Sequence, residues 1–193
     1  LDVIGDRWNL LIVRQLLVGP ARYRELLDGL PGVATNLLSD RLRDLEAAGV
    51  TERRPAAAGN AVVYALTPWG AELRGPIDGL IRWSTPLMVT GPGEDPFHPE
   101  WLAVALPALI DARQATDTSA TIGLESDGQL FPVHATEATL GVARQDGRPR
   151  DAVLRSDAMT ILGVAAGVLG LEDVREAVEL DGDEDAVRAI FAR

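Results

Sequence analysis

The 193 residues contain no cysteine and no lysine. Without cysteine, disulfide frameworks, cysteine-based zinc sites, iron–sulfur clusters and thiol chemistry carried by these residues are excluded. Two histidines, His98 and His134, are too few for a histidine metal cluster. No metal and no cofactor is therefore expected. No apolar run reaches the length that crosses a bilayer, and no signal peptide opens the sequence. That points to the cytoplasm and away from a membrane partner. Gly-x-Ser-x-Gly elbows, P-loops and Gly-x-Gly-x-x-Gly turns are missing, so an enzyme is not expected. A Ser–His–Asp set drawn around His134 has no support from spacing. With 47% apolar and 24% charged residues, the composition is that of a globular chain rather than a disordered or collagen-like one.

All 18 basic residues are arginines, and the net charge is −11. Taken whole, that balance argues against DNA. Residues 1–90 hold 10 Arg and 10 Asp+Glu and are neutral, whereas residues 91–193 hold 8 Arg and 19 Asp+Glu. The asymmetry indicates two domains. A polyanion would have to meet the first half on a local arginine patch. Pro86, Pro92, Pro96 and Pro99, with Gly91 and Gly93, mark residues 86–99 as a linker. Expected domains are thus 1–85 and 100–193, in an α+β architecture.

Ile4, Trp8, Leu11, Ile12 and Leu16 recur at helical spacing until Gly19-Pro20 stops them. A short helix over 22–30, burying Leu26, Leu27 and Leu30, precedes a Pro31-Gly32 turn. The next helix, 35–48, has Thr35 as its expected N-cap, Gly49 at C′ and a buried stripe of Leu38, Leu42 and Leu45. Two strands, 50–54 and 62–66, flank a tip at 55–60. Thr67-Pro68 opens a last helix, with a kink expected at Pro76 ahead of Leu80, Ile81 and Trp83. In the second half a helix over 99–115 carries Pro107. Strands are expected over 121–125, 130–135, 139–143 and 152–155, with turns at Asp127-Gly128 and Asp146-Gly147. Helices over 157–169, 172–178 and 183–191 close the chain, giving an antiparallel sheet covered by helices.

Two short helices joined by a tight turn make a helix-turn-helix, whose second helix enters the major groove. In helix 35–48 the side opposite the leucines carries Asn36, Asp40 and Arg43, flanked by Thr35, Ser39 and Arg41. Asn can read adenine and Arg guanine through paired hydrogen bonds. Asp40 should pair with an arginine or accept from a cytosine amine. Arg53, Arg54 and Asn60 lie in the hairpin, where a wing would follow the backbone, and Arg22 and Arg24 can clamp phosphates. The same polar face also suits a merely solvated helix, and winged helices also serve as protein-interaction modules.

Leu1-Asp2-Val3-Ile4-Gly5-Asp6-Arg7-Trp8, Leu30-Pro31-Gly32-Val33, Leu38-Ser39-Asp40-Arg41-Leu42-Arg43-Asp44-Leu45-Glu46 and Tyr64-Ala65-Leu66-Thr67-Pro68-Trp69-Gly70 follow one another in order. Together they resemble the HxlR family of bacterial winged-helix transcriptional regulators over about residues 1–84. The resemblance implies double-stranded DNA as partner and a homodimer on a dyad-related operator, joined through the first and last helices of this domain. Family members usually carry a leader, often with a cysteine, ahead of the first motif, at which this sequence begins. Within that motif Trp8 is expected in the core, with Asp6 and Arg7 as a local pair or a helix-start charge rather than catalytic groups.

The second half resembles the sterol carrier protein type 2-like fold, through the order helix, sheet, helices, Asp151-Ala152-Val153-Leu154, Leu162-Gly163-Val164-Ala165-Ala166-Gly167 and Leu180-Asp181-Gly182-Asp183. That implies a small apolar or acyl ligand between sheet and helices. Its candidate lining is Trp101, Leu109, Phe131, Val133, Leu140, Val142, Met159, Leu162 and Phe191. Such a stripe equally makes a plain core. Gly163 and Gly167 leave a smooth helix face that packs on the sheet or leaves room for a ligand. His98 is read as a cap for the following helix and His134 as a half-buried strand residue. Asp181, Asp183, Glu184 and Asp185 suit a helix start better than a cation site. Two functions stay open: a ligand-modulated DNA-binding regulator, and a lipid or small-molecule carrier whose winged helix only recruits protein partners.

Overall fold

A computed structural model describes residues 2–57, 61–88, 101–110, 119–135, 140–142 and 149–191. The chain divides into two compact units, Leu1–Ile77 and Asp78–Arg193. The division falls inside a helix, ahead of the linker expected over 86–99.

The first unit contains α1 (Arg7–Val18), α2 (Tyr23–Asp28), α3 (Thr35–Ala47), β1 (Thr51–Pro55), β2 (Val62–Leu66), α4 (Pro68–Ala71) and the start of α5 (Arg74–Met88). Asp6 caps α1 by accepting from the Trp8 amide at 2.8 Å. Arg7 does not pair with it but stacks 4.8 Å from the centre of the Trp8 ring, which is half-buried rather than core. Ile12, Val13 and Leu16 of α1, Leu26 and Leu30, and Leu38, Leu42 and Leu45 of α3 form the core with Val63 and Ala65 of β2. Leu27, expected among them, is half-buried. α3 ends where Gly49 takes φ +74°, a conformation that favours glycine. Its N-cap is Ala34, without a side-chain hydrogen bond, so Thr35 is the first helical residue and not the cap.

β1 and β2 pair antiparallel from Thr51 opposite Leu66 to Pro55 opposite Val62. Ala21 exchanges two backbone hydrogen bonds with Tyr64, adding a one-residue third strand. Thr67 caps α4, accepting from the Gly70 amide at 3.0 Å. The break between α4 and α5 comes before Pro76, where the first turn of a helix tolerates proline. α5 continues through Pro86 to Met88, so the first three residues of the expected linker are helical; residues 89–100, including His98, lie outside the described residues.

The second unit holds the rest of α5, α6 (Leu102–Ile110), β3 (Ala120–Ser126), β4 (Gln129–Ala135), β5 (Leu140–Val142), β6 (Ala152–Arg155), α7 (Ala158–Ala165), β7 (Glu179–Gly182) and α8 (Glu184–Phe191). The strand order is β5-β4-β3-β6-β7. Asp127 and Gly128 both take positive φ, 50° and 74°, as a tight hairpin turn requires. The other expected turn, Asp146-Gly147, lies outside the described residues. Two expectations are corrected. The sheet is mixed, because β3 and β6 run parallel. In place of the helix expected over 172–178, residues 171–177 form turns, and β7 follows them as an edge strand. Ile122, Leu124, Phe131, Val133 and Leu154 are buried on one sheet face, with α8 packed on β3 and β6 and α6 against β5.

Candidate nucleic-acid interface

α2, the turn and α3 are locked together before any ligand arrives. The Tyr23 hydroxyl donates to the Thr35 carbonyl at 2.7 Å and lies 3.1 Å from the Ser39 hydroxyl. Ser39 in turn donates to the Thr35 carbonyl at 3.0 Å. The Arg41 guanidinium reaches Asp6, the N-cap of α1, at 3.5 Å and Asp44 at 2.9 Å. Its side chain is only 29% exposed. Ser39 and Arg41 therefore tie the helix to its own unit, and neither was separable from the outward set by spacing alone.

With the leucine stripe buried, α3 presents Thr35, Asn36, Asp40 and Arg43 as exposed residues. The arginines around it are held by neighbouring carboxylates: Arg43 by Asp40 at 2.9 Å, Arg53 by Glu46 at 3.0 Å, Arg24 by Asp28 and Arg54 by Glu52, each at 3.9 Å. The hydrogen bond and charge of Glu46 push the Arg53 guanidinium further up. Arg22, exposed, opens α2, and its amide donates to Glu25 at 2.6 Å. Exposed pairs of this kind are worth ~0–1 kcal/mol, so exchanging a carboxylate for a phosphate costs little. Asn60, at the hairpin tip, lies outside the described residues.

The residues read as a ligand lining in the second unit behave differently. Leu109, Phe131, Val133, Leu162 and Phe191 are buried, Trp101, Val142 and Met159 are half-buried, and nothing is described of the Leu140 side chain. Among the described residues, none of these lines the cavity at Leu154, Leu171, Val178 and Leu180 in this unit. The Gly163 face is occupied by the Leu169 side chain, which a Cβ added there would approach to 2.5 Å, and Gly167 follows α7 at φ +69°. Asp183 accepts from the Asp185 amide at 2.9 Å, the helix-start role expected for it. Among the described residues no group of three or more His, Asp or Glu is placed to hold a metal ion, and no helix is long and apolar enough to cross a membrane.

A helix-turn-helix with an exposed polar second helix, followed by a two-stranded hairpin flanked by arginine, defines a winged-helix DNA-binding protein. The HxlR-like helix-turn-helix family matches residues 3–90. The HTH-type transcriptional regulator YodB of Bacillus subtilis is 31% identical over 84 residues, 43% of this chain and 75% of YodB. YvaP of the same organism, also an HTH-type transcriptional regulator, is 35% identical over 85 residues, 44% of this chain and 79% of YvaP. The solved reduced form of B. subtilis YodB is 30% identical with a TM-score of 0.40, covering 48% of this chain and 90% of that one. The chain belongs to the HxlR family of helix-turn-helix transcriptional regulators.

Proposed function

We propose that the protein regulates transcription in the cytoplasm as a homodimer on a dyad-related operator, reading bases with α3 and gripping phosphates with the hairpin and the start of α2. One observation carries the reading: the leucines of α3 are buried while Thr35, Asn36 and Arg43 stay exposed. Asn36 and Arg43 are the base-reading pair, with Thr35 beside them. Arg22, Arg24, Arg53 and Arg54 contact phosphates, joined by Asn60 at the tip. Ser39 and Arg41 hold the helix at its working angle.

The second copy is the partner that suits α5. Leu80, Trp83 and Leu87, at i, i+3 and i+7, are 49%, 73% and 64% exposed. Three large apolar side chains along one helical stripe are what an isologous helix–helix contact buries. The acidic second unit serves as the effector module, taking a small apolar or acyl ligand between its helices and the inner sheet face. Such a ligand regulates only by preferring one spacing of the two α3 helices.

The test is a gel shift of the full chain on DNA from upstream of its own gene, at two salt concentrations. Binding should be sequence-selective and strongly salt-dependent. Asn36→Ala should relax base preference, whereas Arg54→Ala should weaken all sequences alike. Equal effects of both changes on every sequence would defeat these roles. Native mass spectrometry of the purified protein should show a bound apolar molecule; a bare mass would remove the ligand from the account.

A further inference from the structure

The first unit contains a cavity of about 470 Å³ that the DNA-binding reading does not use. Val3, Ile4, Val50, Trp69 and Leu73 line it, together with the acidic residues Asp2 and Glu72. Its volume falls within the ~300–1,000 Å³ of small-molecule sites. Trp69 is 57% exposed, although the core of its unit lies close by. An exposed tryptophan beside two acidic residues, with no arginine in the described lining, favours a cation over an anion.

The walls of this cavity are wired to the recognition helix. Val3 accepts a hydrogen bond from the buried Asn9 at 2.6 Å, and Asp6, three residues on, pairs with Arg41 of α3. On the other side, Thr67 donates through its hydroxyl to the Gly49 carbonyl at 2.6 Å and through its amide to the Val50 carbonyl at 3.0 Å. Gly49 and Val50 are the corner where α3 passes into β1. A molecule wedged between Val3, Val50 and Trp69 presses on both ends of the frame that aims α3.

We propose that this cavity binds a small aromatic cation, and that its occupancy is linked to DNA affinity. The linkage rests on the regulator reading; the binding does not. The probe is 1-methylquinolinium, with 2-naphthoate as the anionic control of similar shape, titrated calorimetrically into the full chain. The cation should bind at least about tenfold more tightly than the naphthoate. Trp69→Leu should weaken the cation about tenfold and Glu72→Gln about threefold. Both positions are exposed, and circular dichroism should show both variants folded. If Trp69→Leu fails to fold, Glu72→Gln decides alone.

Equal binding of cation and anion, or indifference to both substitutions, would overturn the proposal. A change of oligomeric state in Trp69→Leu without cation binding would overturn it too, and assign the cavity to a second copy of the chain. Repeating the titration on the protein–DNA complex should shift the cation affinity by the factor the cation imposes on DNA affinity. An unchanged value there would overturn the linkage. A chain that binds no DNA under any condition would defeat the regulator reading, while the calorimetry would still judge the cavity.

Discussion

Replacing Asp40 by asparagine changes the charge of the exposed polar side of α3 and almost nothing else. Arg43 lies 2.9 Å from Asp40, with side chains 71% and 58% exposed. An exposed pair one turn apart contributes ~0.3–0.5 kcal/mol. A loss of that size lowers the melting temperature by about 1–2 °C in a chain of this length. On DNA the effect is larger and opposite in sign. Loss of the Asp40 carboxylate raises by one the charge that α3 brings to the duplex, the equivalent of one more neutralised phosphate, and each such unit adds about 0.9 to the slope of log affinity against log salt. Between about 50 and 200 mM salt that is a further roughly 3.5-fold fall in affinity, on top of tighter binding at the low-salt end. Fluorescence anisotropy titrations of wild type and Asp40→Asn on the upstream duplex, at three salt concentrations, read both quantities. An unchanged slope with unchanged affinity would place this face of α3 away from DNA. Weaker, base-selective binding would mean that Asp40 accepts from a cytosine amine.

Three further outcomes follow from the packing. A methyl group on Gly70 would run into the Val50 backbone carbonyl, so Gly70→Ala should destabilise the first unit by ~1–3 kcal/mol or more and give it an earlier thermal transition. Trp83→Asp should convert the proposed dimer to a monomer in sedimentation velocity; an unaltered sedimentation coefficient would remove α5 from the proposed dimer contact. Burial alone would raise the Asp157 carboxyl, but the hydroxyl and amide of Thr160 outweigh it and hold it below its usual 3.8. Asp157→Ala should therefore cost ~1 kcal/mol at neutral pH. That difference is fully present above the unfolded value and vanishes as pH falls through the lower folded one, which acid titration of both proteins would show.

Much of the first unit was legible because its signals are local. Leu38, Leu42 and Leu45 recur every three to four residues, Gly49 punctuates the end, and Thr67-Pro68 announces α4. The ties that orient α3 were not legible. Arg41 chooses Asp6, thirty-five residues away, and Tyr23 reaches the Thr35 carbonyl, neither of which any spacing rule encodes. In the second unit, Leu171, Val174 and Val178 imitate a helical stripe, yet only Val174 is buried and residues 171–177 are turns. They are held by Ser156 donating to the Ala177 carbonyl at 2.8 Å and by Arg188 reaching Glu172 at 2.6 Å. β7 escaped notice because four residues with Asp and Gly among them carry no alternation; its place comes from Leu180 standing opposite Leu154. The parallel pairing of β3 and β6 is likewise a matter of strand order, which local periodicity does not contain.

Because the chain has no cysteine, a single introduced thiol is a unique handle. Asn36→Cys carrying a photoreactive aryl azide, irradiated on the upstream duplex, should crosslink to bases whose edges line the major groove. The same label at the exposed Glu176 of the second unit should not. Crosslinks from both positions alike, or none from position 36 while the duplex stays bound, would contradict the assignment of α3 as the helix that reads DNA.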